Sequence, residues 1–247
     1  MSMAKIIAYP LTLIFFIFFG LALLVFHPIQ WFCFNVLGYQ AHKVSVVWLQ
    51  FWLMRSTNLL GTRYRFTNNH KVEEGLPLII VANHQSMYDI PPIIWYFSKH
   101  HPKFISKSSL GKGIPSVSYN LRHGGSVLID RKKPRESIKA IEQFAKRVSE
   151  NNWAAVIFPE GTRSRDGNPK PFKEKGLLSL MEHIPNAYVV PLTINNSWKM
   201  VRYGQFPLGI GNKITFTTHE PIKVSEHDPK EIIKIAEQKV TNSIIHD

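Results

Sequence analysis

Cysteine is all but missing from this chain. Cys33 is the single one in 247 residues, so no intramolecular disulfide is possible, and a cytosol-facing chain is expected. None of the eleven histidines belongs to a Cys/His cluster with zinc-ligand spacing, so no metal site is expected. Acidic residues are scarce: 17 Asp and Glu stand against 30 Lys and Arg, a formal charge of +13. That imbalance calls for an anionic partner, which could be nucleic acid, an acidic membrane surface or a phosphorylated substrate. No nucleic-acid-binding motif occurs, and the hydrophobic N-terminus argues against soluble DNA binding. A G-x-S-x-G nucleophile elbow is absent too, which counts against a serine hydrolase. Internal repeats and low-complexity tracts are lacking. Apolar residues make up 45% of the chain, ample for one sizeable domain plus an appendage.

Charge is missing altogether from residues 6–26, a run dominated by Phe, Leu and Ile. As a helix it covers about 32 Å, enough to cross a hydrocarbon core of about 30 Å. It is long for a signal-peptide core and lacks an A-x-A-like cleavage site. Residues 27–60 stay rich in aromatics, and the apolar segment 44–54 is too short to span. It suits an interfacial helix or one packed on the first, with a core helix as the plainer alternative. Lys5 is the only basic residue before the run, and the chain after Lys43 is strongly basic. The positive-inside tendency then puts the main domain on the cytoplasmic face, whether the N-terminus crosses the bilayer or dips and returns.

From Thr62 onward strands and helices alternate. Strands are expected at 63–67, 78–82, 103–106, 126–129, 154–158, 188–194 and 213–218, and helices at 90–99, 134–150, 173–183 and 229–245. This is the pattern of an α/β protein: a mostly parallel sheet with helices on both faces, plus an N-terminal hydrophobic helical membrane anchor. The division expected is an anchoring segment over 1–60 and an αβ domain over 61–247. Ligands of such sheets sit beyond the carboxyl ends of the strands.

Three polar motifs fall at such ends. The first is Asn83-His84-Gln85-Ser86-Met87-Tyr88-Asp89. His84 leaves a buried strand and Asp89 opens the following helix, so the strand-to-helix bend brings them together as a general base and its orienting carboxylate. A His and an Asp five apart also arise readily by chance, so the pair needs company. The second is Ile129-Asp130-Arg131 after Gly124-Gly125, with Arg131 at the sheet's active edge. The third is Phe158-Pro159-Glu160-Gly161-Thr162-Arg163-Ser164-Arg165. Arginine forks bind phosphate, and N–H groups around a glycine cradle anions. Glu160 could orient Arg163 or accept a substrate hydroxyl. A fourth segment, Val189 to Ile194, reads as a strand made irregular by Pro191.

In order and spacing these residues resemble the glycerolipid acyltransferase family. The match runs from Asn83-His84 and Asp89, through Ile129-Asp130-Arg131 and Phe158 to Ser164, to Val190-Pro191-Leu192-Thr193-Ile194. The resemblance implies acyl transfer from acyl-CoA or acyl-carrier protein to a lysophospholipid hydroxyl at a membrane surface, with no cofactor. It implies His84 as base, Asp89 as its partner, and Arg131, Glu160, Gly161, Thr162 and Arg163 as holders of the acceptor's glycerol phosphate. Lys107, Leu110 and Pro115 match the family's lysine-to-proline stretch, although Ser109 and Ser118 stand where an acid and a glycine are frequent. Those departures leave the acceptor open: lysophosphatidic acid first, then glycerol 3-phosphate or an amino-acid lyso-lipid. The oxyanion donor is either a backbone N–H near His84 or the Lys107 ammonium. A lipid hydrolase is the rival from another class.

Overall fold

A computed structural model describes residues 3–68, 70, 72–130 and 132–245. Its centre is strand β2 (Leu78–Ala82), in which all five residues are buried. A strand apolar on both faces can only sit inside a sheet that is covered on both sides. The sheet order is β1-β7-β6-β2-β5-β3-β4, with β1 (Arg63–Asn68), β3 (Pro102–Lys107), β4 (Val127–Ile129), β5 (Ala154–Ile157), β6 (Tyr188–Asn195) and β7 (Lys213–Thr218). All neighbours are parallel except β6 with β7, and the two-residue β8 (Ile222–Lys223) also lies antiparallel to β6. The mostly parallel α/β architecture expected from the sequence is present.

Pro191 shows how a proline fits a central strand. One side of β6 is paired to β2 from Tyr188 to Leu192, with Val81 opposite Pro191. On the other side the antiparallel partner is β8 at Tyr188 and Val189, then β7 from Leu192 onward. The missing N–H falls in the gap between partners, so no ladder bond is lost.

Three helices cover one face: α5 (Pro134–Glu150), α6 (Glu174–His183) and α7 (Pro229–Thr241). Ile141, Phe144, Ala145 and Val148, at helical spacing on α5, pack with Ile79, Ala155 and Val189 of the sheet. The other face is covered by α1 (Met3–Phe32), α2 (Tyr39–Asn58) and α3 (Ile90–Tyr96), through Phe15, Val46 and Ile93 against Leu78, Ile80 and Val156.

Helix α1 runs well past the uncharged stretch. Together with the π-helical turn Cys33–Leu37 it makes 35 residues of helix, whose most apolar 18-residue window has a mean hydropathy of 2.4, and it is about 52 Å long. Ala8, Thr12, Phe15, Leu23 and Gln30 form its buried stripe. Its outer side is a continuous apolar surface that includes Leu13, Ile17, Leu21 and Leu24. Helix α2 extends the expected 44–54 in both directions, burying Val46, Leu49 and Leu53 and exposing Val44, Trp48 and Trp52. Helix α3 is shorter than expected: Phe97 leaves helical geometry, and a 3-10 turn, Ser98–His100, follows. A further helix, α4 (Val117–His123), was not expected.

Candidate active site

The segment after β2 is held open by its own polar residues. The Asn83 side chain acts as a stand-in strand residue: its Nδ2 donates to Ile194 O at 2.8 Å, and its Oδ1 accepts from Ile194 N at 2.7 Å. Gln85 Oε1 accepts from Ser197 N at 2.9 Å, and the hydroxyls of Ser86 and Ser197 are bonded to each other. A 3-10 turn, Met87–Asp89, then leads into α3, with Ser86 and Asp89 forming a reciprocal capping box. The S-x-x-D spacing over 86–89 is the sequence signal for that cap.

His84 and Asp89 meet. Asp89 Oδ2 lies 2.8 Å from His84 Nδ1 and also accepts from Gln85 N at 2.8 Å and Ser86 N at 3.0 Å. With its side chain fully buried and three donors at one oxygen, the carboxylate is fixed in place. Nδ1–H therefore donates to Asp89, which leaves Nε2 as the ring's proton acceptor. The imidazole stacks on Phe158 with ring centroids 4.1 Å apart, and its side chain is 17% exposed.

The segment following β5 grips the backbone of the same residue. Glu160 Oε1 accepts from His84 N at 2.8 Å, Glu160 Oε2 accepts from Lys170 N at 3.0 Å, and Ser164 N donates to His84 O at 2.7 Å. Glu160 is buried, and burial pushes its carboxyl up against the pull of those two N–H donors. Gly161 has φ +71, a backbone angle that favours glycine. Neither Phe158 nor the Glu160 bridge was legible beforehand, since both contacts join residues more than seventy positions apart.

The remaining predicted residues lie along the same edge of the sheet. Thr162 and Arg163 follow β5 and are exposed, and Lys107 is exposed at the end of β3. Arg131 lies outside the described residues; Asp130, just before it, follows directly on β4. The turn before β4 needs both of its glycines: a Cβ on Gly124 would stand 2.6 Å from Asn120 O, and Gly125 takes φ +92 against Trp153. The N–H groups of residues 84, 85 and 86 are all engaged, so none is left for a developing oxyanion.

An oriented imidazole with its second nitrogen left as an acceptor, at the carboxyl edge of a mostly parallel sheet that also carries exposed cations, has the chemistry to take a proton from an anionic ligand. The chain belongs to the Acyltransferase family, whose model matches residues 63–195, more than half of its length. It is 32% identical over 130 residues to 1-acyl-sn-glycerol-3-phosphate acyltransferase of Limnanthes douglasii, covering 52% of this chain and 44% of that protein. Over 169 residues it is 30% identical to a Chlamydomonas reinhardtii protein of the same name, covering 68% of this chain and 48% of the other. The chain thus spans about half the length of the curated relatives it matches. Its fold is that of the crystal structure of PlsC, a 1-acyl-sn-glycerophosphate acyltransferase from Thermotoga maritima. The TM-score is 0.81 at 24% identity, covering 97% of this chain and 95% of that one.

Proposed function

We propose that this protein moves a fatty acyl group from a thioester, acyl-CoA or acyl-carrier protein, to the free hydroxyl of lysophosphatidic acid, giving phosphatidic acid. The observation that carries this reading is the His84–Asp89 pair at 2.8 Å with Nε2 left free. The acceptor oxygen attacks the thioester carbonyl carbon while Nε2 takes the hydroxyl proton. The tetrahedral intermediate collapses with cleavage of the carbon–sulfur bond, and the imidazolium returns its proton to the thiolate. The imidazolium is stabilised throughout by Asp89. With the nearby backbone N–H groups engaged, Lys107 is the oxyanion donor, and Arg163 and Thr162, together with Arg131, hold the phosphate.

A panel of lyso-lipid acceptors and glycerol 3-phosphate, run with one labelled acyl thioester, tests the reading. Lysophosphatidic acid should be the acceptor consumed fastest. Preference for glycerol 3-phosphate or an amino-acid lyso-lipid would reassign the acceptor, and ester cleavage without any donor would indicate a hydrolase. Arg163→Ala should raise KM for lysophosphatidic acid roughly tenfold, the scale of one charge-assisted bond partly open to water. Phosphate-free acceptors should be unaffected, and an equal loss for them would remove Arg163 from the phosphate site.

Helix α1 is proposed to lie in the plane of the membrane, on the cytoplasmic leaflet, and not to cross it. Its buried stripe from Ala8 to Gln30 extends over about 33 Å, and the folded domain holds it along that length. Leu208 N donates to Thr12 Oγ1, Ser116 N donates to His27 Nδ1, and Asn35 Nδ2 donates to Tyr119 Oη. A helix crossing a core about 30 Å thick would drag those contacts through the lipid. With Cys33 replaced by alanine, Met3→Cys and Gln40→Cys should both react with an impermeant maleimide from one side of a vesicle. Labelling of only one would mean a spanning helix.

A further inference from the structure

We infer that Glu160 is a positioning residue acting through His84, and not a ligand of the acceptor; the inference rests on the acyl-transfer reading above. Three observations support it. The residue is only 2% exposed, so it offers little surface to a substrate. Both oxygens already accept backbone N–H groups, His84 N at 2.8 Å and Lys170 N at 3.0 Å. A carboxylate directed at a phosphate would also repel it.

The consequence for His84 is specific. Its amide N–H is fixed by Glu160, its carbonyl by Ser164 N, its ring nitrogen by Asp89 and its ring face by Phe158. Glu160, Ser164 and Phe158 all belong to the segment carrying Thr162 and Arg163, and Glu160 is the member of it that holds the amide N–H of the base through a charged side chain. The negative charge also lies near the ring that becomes cationic during turnover, and so favours that state. The segment itself keeps three bonds that do not involve Glu160: Gly161 N to Phe158 O, Ser164 N to His84 O and Lys173 N to Pro159 O. Phosphate binding by Arg163 therefore outlasts the loss of Glu160, and placement of the base does not.

Glu160→Gln keeps the shape and removes the charge. Its amide oxygen can accept one of the two N–H donors, and its NH2 group then faces the other. The variant should lose about tenfold to a hundredfold in kcat, the scale of a base misplaced by about an ångström. KM for lysophosphatidic acid should stay within about threefold, and the acid limb of the kcat/KM profile should move to lower pH. A KM increase with kcat retained would overturn the assignment and restore Glu160 as a ligand.

An activity-free measurement runs alongside. In protein labelled with 15N-histidine, the His84 amide should exchange with solvent about tenfold faster in Glu160→Gln than in the wild type, as for loss of one hydrogen bond. Unchanged exchange would sink the link between the residues, whether or not the protein transfers acyl groups. Wild-type protein inactive on every acceptor would instead sink the acyl-transfer reading alone. Should Glu160→Gln fail to fold, Glu160→Asp keeps the charge on a shorter arm and should show the same kcat loss at unchanged KM.

Discussion

His84→Ala should lower kcat by more than about a hundredfold, the usual scale for a general base, while KM for the acceptor changes little. The substitution takes away the only ring nitrogen that Asp89 leaves free, and an alcohol is a poor nucleophile at neutral pH without a proton acceptor. The surrounding loop should survive the change. Asp89 still accepts from Gln85 N and Ser86 N, and Asn83 still bridges to Ile194. Thermal unfolding should therefore move far less than activity. Steady-state assays with a labelled thioester and a melting curve on the same sample separate the two effects. Activity within tenfold of wild type would show that another group removes the proton.

The second large effect is on stability, at the opposite end of β3. Lys103 is 5% exposed, and its ammonium donates to His101 Nε2 at 2.7 Å and lies 5.0 Å from the Trp153 ring. The groups around it, Tyr39, His42, Lys43 and His101, include no carboxylate. Burial first, and then Lys43, brings Lys103 down to about 7, and burial holds His101 near 2 and neutral. The unfolded chain keeps Lys103 protonated up to about 10.4, so above about 7 it binds more protons than the folded one. Stability should therefore rise with pH, by about 3 kcal/mol between pH 7 and 9.5, or about 6–12 °C in Tm. Higher up, the buried hydroxyls of Tyr39, Tyr64 and Tyr88, which burial pushes up, act in the opposite direction. On the acid side, His101 lowers stability as pH falls below about 6.5, where only the unfolded state takes its proton. Lys103→Met should flatten the alkaline slope and raise Tm at pH 7, as replacement of an unpaired buried charge does. A wild-type Tm that is level from pH 7 to 9.5 would contradict this account.

Much of the sheet was legible because a strand buried on both faces, such as β2, reads as a continuous apolar run, and one buried on a single face, such as β7, reads as an alternation. Residues 78–82 and 213–218 match β2 and β7 at both ends, and 134–150 matches α5. What escaped depends on partners distant in sequence. The reversed direction of β7 carries no local mark, because the antiparallel register with β6 is set by the long connection between them. Helix α4 has seven residues and a mixed surface, too short for a period to emerge. Helix α1 continues past His27 and Pro28, where the His27 ring accepts from Ser116 N, a contact 89 residues away. At the site, the His84–Asp89 contact could be read from six consecutive positions. The Glu160 bridge could not, since charge and motif alone would as readily have turned that carboxylate toward a ligand.

Tyr88, next to Asp89 in sequence, packs edge-on against Phe15 and Phe19 of α1. The turn that carries Asp89 is thus tied to α1 through a single ring. On the acyl-transfer reading, with α1 lying in the membrane plane, an acceptor dissolved in the leaflet would reach His84 by lateral diffusion without passing through the aqueous phase. Encounter is a two-dimensional search, so turnover should scale with the mole fraction of lyso-lipid in the surface and not with its bulk concentration.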